Sequence, residues 1–184
     1  MNRLQHWLKK KLKHFSALFD FVEVPEMCAK EITDSVVPAI ESRKYNFVLI
    51  NLANPDMIGH TGNYEQTVKA VEFTDTCVRR IVEAVMRVNG NIIITADHGN
   101  AEEMVDEMTG EVNAAHTSNP VPVIICRAES PCVLDGSVQG VKIGTGQNAV
   151  ERGILADIAP TVLRLLGQEP SQEMTGVDLL SVKL

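Results

Sequence analysis

Five side chains stand out for the chemistry they could do: Asp56 and His60 in "NPDMIGH", Asp97 and His98 in "ITADHGN", and His116 in "AAHTSNP". Carboxylates and neutral imidazoles are the mixed oxygen and nitrogen donors that Mn, Zn and Fe accept, and such sites leave room for substrate oxygens. Five donors exceed the needs of one four-coordinate ion. Two ions about 3.5–4 Å apart would use them, and such a pair clamps the oxygens of a transferring phosphoryl group. Singly, each piece is ordinary. An Asp-x-x-x-His is most often a surface pair, an Asp-His dipeptide a turn, and His116 a hydrogen-bonded loop histidine; Gly59, Gly62 and Gly99 are common turn formers. Their arrival together, in the loops around successive predicted strands, favours the metal reading.

Placing these groups falls to alternating strands and helices. Residues 27–43 have helical spacing through Ile32, Val36 and Ile40, with Pro38 tolerable only near an end. "NFVLINL" (46–52) reads as a buried strand and "ANPDMIGHTGN" as a loop. Asn63 caps a helix running from about Tyr64 to Val88, with Val68, Val71, Val78, Ile81, Val82 and Val85 inward. Asn89-Gly90 stops it before a strand over 91–95. Residues 101–114 form a surface excursion turning near Thr109-Gly110, and 121–126 a third strand. The last helix spans 157–166, with Pro160 in its first turn and Gly167 at its end. This order predicts an α/β fold with a largely parallel sheet flanked by helices, whose ligands gather beyond the carboxyl ends of the strands.

Bulk properties set the bounds. A chain of 184 residues, 45% hydrophobic and 22% charged, can bury a core. No apolar run reaches the roughly 18–20 residues of a membrane span, so no integral membrane segment is expected. The net charge of −7 argues against a nucleic-acid surface. Cys28, Cys77, Cys126 and Cys132 form no CxxC pair and read as free thiols of a cytoplasmic protein. The charge is uneven: residues 1–20 hold Arg3, Lys9, Lys10, Lys11 and Lys13 against Asp20 alone. Leu4, Trp7, Leu8, Leu12, Phe15, Leu18 and Phe19 share one stripe there. We expect this basic amphipathic helix, 4–19, to cover an apolar face of its own body or of a second copy, self-association being the alternative to internal packing. "GTGQNA" (144–149) mimics a dinucleotide fingerprint but lacks the preceding strand.

Longer motifs are more specific. "NLANPDMIGHTGN" (51–63), "ITADHGNAEEM" (94–104), "AHTSNPVPVI" (115–124), "GILADIAPTVLRLLG" (153–167) and "EMTGVDLL" (173–180) come in the order and spacing of a known family. They resemble the C-terminal part of the cofactor-independent phosphoglycerate mutases of the alkaline phosphatase superfamily, and "VPEMCAKEITD" (24–34) resembles the segment leading into it.

That resemblance implies an alkaline-phosphatase-like fold, truncated relative to the family. Residues 21–184 would be the C-terminal portion of the metal-binding domain, with 1–20 outside the match. It also implies interconversion of 3-phosphoglycerate and 2-phosphoglycerate through a phosphoserine and two metals, commonly Mn²⁺. Asp56, His60 and His116 would hold one ion, and Asp97 and His98 would help hold the other. Zn²⁺ or Mg²⁺ would suit the same donors. Nothing in this chain matches the family's nucleophilic serine, a further aspartate of the second site, or the phosphotransferase domain. Ala17 falls near the place of a family lysine. The expectation is one tightly bound ion or none, and no mutase turnover by this chain alone. The alternatives are a non-catalytic metal-binding remnant and a metal-dependent phosphohydrolase of the same superfamily.

Overall fold

The computed structural model describes residues 23–106, 108–128 and 153–181. The expected 4–19 helix, the boundary near residue 20 and the "GTGQNA" loop lie outside these residues. Among the described residues seven elements follow one another: α1 (Ala29–Glu41), α2 (Asn54–Gly59), α3 (Tyr64–Arg87), β1 (Ile92–Thr95), β2 (Val123–Cys126), a short 3₁₀ helix (Leu155–Asp157) and α4 (Ile158–Leu165). The chain divides into two compact units. One holds the described residues up to Ile32 with Asn51–Cys77 and Asn100–Ala115. The other holds Thr33–Ile50, Val78–Gly99 and the described residues from His116 on.

In the first unit, α2 replaces what the sequence presented as a loop. Pro55 at its start needs no amide partner there. Asn54 fixes its position. The Asn54 side chain is buried; its Nδ2 donates to the Ala70 carbonyl at 3.0 Å and the Pro25 carbonyl at 3.4 Å. Its Oδ1 accepts from the Thr74 hydroxyl at 3.1 Å. Asn63 caps α3 as expected, its Oδ1 accepting from the Gln66 N–H at 3.1 Å. The excursion over 101–114 returns through a bridge between Val105 and Val112, with Gly110 at φ +71° in the turn.

The second unit holds the sheet, which corrects the expected parallel arrangement. Among the described residues it has two strands, β1 and β2, and they pair antiparallel, Ile92 opposite Cys126 and Thr95 opposite Val123. A parallel neighbour requires a crossover, usually through a helix, whereas no helix lies between β1 and β2. Residues 46–52 form no strand, because a strand exists only through ladder partners and the described residues supply none. Phe47 and Leu49 are instead exposed, at 55% and 84%.

Two ion pairs join α1 to the C-terminal part of α3: Arg80 to Asp34 at 2.7 Å and Arg87 to Glu41 at 2.8 Å. Both advance by seven residues on each helix, so the two segments run in the same direction. Pro38 lies inside α1 but only three residues from its end. Asn89, at φ +56°, and the Gly90 N–H, donating to the Val85 carbonyl at 2.9 Å, terminate α3.

The inward face of α3 differs from the expected one. Thr67, Ala70, Cys77, Ile81, Val82, Ala84 and Val85 are buried, while Val68 and Val71 are exposed. Hydropathy chose the valines, but the covered face is the one carrying Thr67 and Ala70, where the Asn54 amide bonds the Ala70 carbonyl. Cys28 and Cys77 are free thiols, as expected.

Asp157 organises the start of α4. Its buried carboxylate accepts from the Ile154 N–H at 2.8 Å through Oδ2 and from the Val177 N–H at 2.7 Å through Oδ1. The Thr161 hydroxyl donates to the Asp157 carbonyl at 2.6 Å and accepts from the Leu179 N–H at 3.0 Å.

Candidate functional site

Asp56 and His60 lie in the first unit, four residues apart across the end of α2, so helical geometry brings them to one side. His60 Nδ1 lies 2.7 Å from the Ala114 carbonyl oxygen. A carbonyl only accepts, so Nδ1 carries the hydrogen in that bond. In the neutral ring Nε2 then bears the lone pair, and it lies 3.3 Å from Asp56 Oδ1. Two lone-pair donors side by side, with the far ring nitrogen tied to a backbone carbonyl, form the arrangement that orients a metal-ligating histidine. A cation suits this pair, and the residues fit one.

Behind the ring, Asn100 is buried, with its Nδ2 3.5 Å from His60 Nδ1 and its backbone N–H donating to Glu102 Oε2 at 2.7 Å. A Cβ on Gly59 would collide with Asn100 Oδ1, so α2 can approach Asn100 only with glycine there.

Asp97, His98 and His116 lie in the second unit. The His98 and His116 rings are stacked, with centroids 3.7 Å apart and planes 18° from parallel. A bridge between Gly99 and Thr117, with the Thr117 N–H donating to the Gly99 carbonyl at 2.8 Å, draws their chain segments together. Asp97 Oδ1 is 3.7 Å from His98 Nε2 and largely exposed. The stack joins two histidines that the family resemblance assigns to different ions. Carboxylate and imidazole in one unit again make a donor set suited to a first-row divalent metal.

A profile of the metalloenzyme superfamily matches residues 18–170, a span containing all five of these donors. The chain belongs to the metalloenzyme superfamily. Within that superfamily it is homologous to part of the 2,3-bisphosphoglycerate-independent phosphoglycerate mutases. It is 49% identical over 156 residues to the mutase of Pseudomonas fluorescens, covering 85% of this chain and 28% of that protein. It is 51% identical over 159 residues to that of Gloeobacter violaceus, with the same coverage. The chain therefore spans about 28% of the length of the curated relatives it matches. Among solved structures it is similar to the Leishmania mexicana phosphoglycerate mutase determined at low cobalt concentration, with a TM-score of 0.68 and 32% identity. That match covers 87% of this chain and 29% of the other.

For this superfamily member, the sequence offered the five candidate donors but not the residues that surround them. Asn54 had one signal, the Asn-Pro pair that opens α2. Asn100 had none beyond its place in "DHGN", because the burial of a polar residue has no local signature. The Ala114 carbonyl is backbone and carries no side-chain signal at all.

Proposed function

We propose that this chain is the metal-holding part of a 2,3-bisphosphoglycerate-independent phosphoglycerate mutase. The complete enzyme would interconvert 3-phosphoglycerate and 2-phosphoglycerate in the cytoplasm. In this reading Asp56, His60 and His116 hold one divalent ion, Mn²⁺ by family resemblance, and Asp97 and His98 contribute to a second. The bound ions would supply charge neutralisation for phosphoryl oxygens. The chain's own residues do the orienting. The Ala114 carbonyl accepts the His60 Nδ1 hydrogen, α2 sets Asp56 beside Nε2, and the Gly99–Thr117 bridge brings His98 against His116. The observation that carries this reading is the His60 Nδ1–H bond to Ala114, which turns Nε2 toward Asp56 in a chain homologous to the mutases.

By the family resemblance the nucleophilic serine has no counterpart among these 184 residues, and in this reading another segment would supply it. The test pairs metal analysis with complementation. One tightly bound Mn²⁺ per chain, lost in Asp56→Ala and His116→Ala, is expected. Mutase activity should be at background for the chain alone and appear when the rest of a relative's enzyme is added as a separate fragment. Metal binding without complementation would make the chain a non-catalytic metal-binding module. Turnover of a generic phosphate ester by the chain alone would make it a phosphohydrolase. No metal binding at all would end the proposal.

A further inference from the structure

Asn100 has no role in the five-donor set, yet its side chain is among the few buried polar ones, and its polar ends are poorly used. The buried Oδ1 has no hydrogen-bond partner among the described residues. Among the described residues Nδ2 lies against His60 Nδ1, at 3.5 Å. That contact pairs donor with donor, because the 2.7 Å approach to the Ala114 carbonyl requires the hydrogen on Nδ1. With the amide in this sense neither end of the carboxamide is satisfied. Burying a polar atom without a hydrogen-bond partner is unfavourable, so the buried Oδ1 calls for a donor. A half-turn of the nearly symmetric amide exchanges O for N and gives the oxygen a donor, since His60 Nδ1–H then lies between two acceptors.

We propose that Asn100 is a positioning residue for His60: its amide oxygen shares the Nδ1 hydrogen with the Ala114 carbonyl and thereby holds Nε2 as the lone-pair nitrogen beside Asp56. The glycine at 59 belongs to the same device, because any Cβ there would displace the amide. This assignment rests on the reading of His60 as a metal ligand, but its first readout does not. Partners of this kind, one bond removed from the metal, change metal affinity by roughly 10–100-fold when lost.

The experiment uses the full 184-residue chain with Asn100→Leu, Asn100→Asp and Gly59→Ala. It reads the His60 tautomer from side-chain ¹⁵N shifts without metal and the dissociation constant for Mn²⁺ alone. The wild type should show Nδ1–H. Asn100→Leu, similar in size and without an acceptor, should populate both tautomers and weaken Mn²⁺ binding about ten-fold. Asn100→Asp, which keeps an acceptor oxygen, should retain the tautomer. Gly59→Ala should reproduce the leucine variant and add little when combined with it, since both remove one contact. An unchanged tautomer in both Asn100→Leu and Gly59→Ala would overturn the assignment. If Asn100→Leu does not fold, Gly59→Ala decides by the same readouts. A wild-type chain that binds no Mn²⁺ but shows the tautomer change would sink the metal reading and leave the role of Asn100 standing.

Discussion

The His98 imidazole lies flat against His116, ring centroids 3.7 Å apart, although the two residues come from segments on either side of a long excursion. The bridge between their chain neighbours Gly99 and Thr117 is the local cause. A stacked ring places its neighbour's protons in its shielding region. We therefore expect His98→Ala to move the His116 ring-proton resonances downfield in a metal-free sample. Thr117→Pro, which deletes the bridging N–H, should do the same. Unmoved His116 resonances in both variants would show that the stack does not persist in solution.

Asn54 connects three stretches of the first unit through one buried amide. Asn54→Ala should destabilise by about 2–3 kcal/mol, from three lost hydrogen bonds and the carbonyls and hydroxyl left behind. Asn54→Asp should also destabilise, since it turns a donor toward two carbonyls into an acceptor. A denaturant midpoint within error of the wild type would contradict this.

The Asp157 carboxylate accepts one backbone N–H at each oxygen. Asp157→Asn is nearly identical in shape, but sets its NH₂ against one of those N–H groups. The expected loss is about 2 kcal/mol. It should appear as a lower urea midpoint with unchanged slope, because the surface exposed on unfolding is the same.

Asp106 carries the pH dependence of the excursion. Backbone N–H groups of Thr109 and Met108, each 2.8 Å from Oδ1, hold its carboxyl below the ordinary carboxylate value. With the folded value depressed, the contribution of Asp106 is full above the unfolded value and disappears as pH falls through the folded one. The Met108 and Thr109 amide resonances should therefore shift together in acid, at a pH below the titration of an unperturbed aspartate. Asp106→Asn, which keeps an acceptor but no ionisation, should abolish that acid step.

The sequence was most informative where its signal is local. Asn63 at the start of α3, Asn89-Gly90 at its end, Pro160 in the first turn of α4 and the turn at Gly110 all act within a few residues, so composition alone places them. The five candidate donors and their long motifs were legible for the same reason, and the motifs led to the superfamily.

Pairing was not legible. The apolar run at 46–52 looked like a buried strand, yet a strand is defined by its neighbours, and Phe47 and Leu49 stand exposed. Alternating elements implied parallel strands, but direction depends on the path of the connection, and β2 returns antiparallel to β1. Hydropathy placed Val68 and Val71 inside, whereas Thr67 and Ala70 are the residues buried there.

Residue identity thus determined which groups in this chain carry metal-donor chemistry and which turns separate its helices, because donor chemistry and backbone freedom belong to single residues. Only the tertiary structure decided which nitrogen of His60 faces Asp56, that His98 lies on His116, and that Asn100 needs a glycine at 59. Those outcomes depend on atoms distant in sequence coming within a few ångströms, and that distance is set by packing rather than by composition.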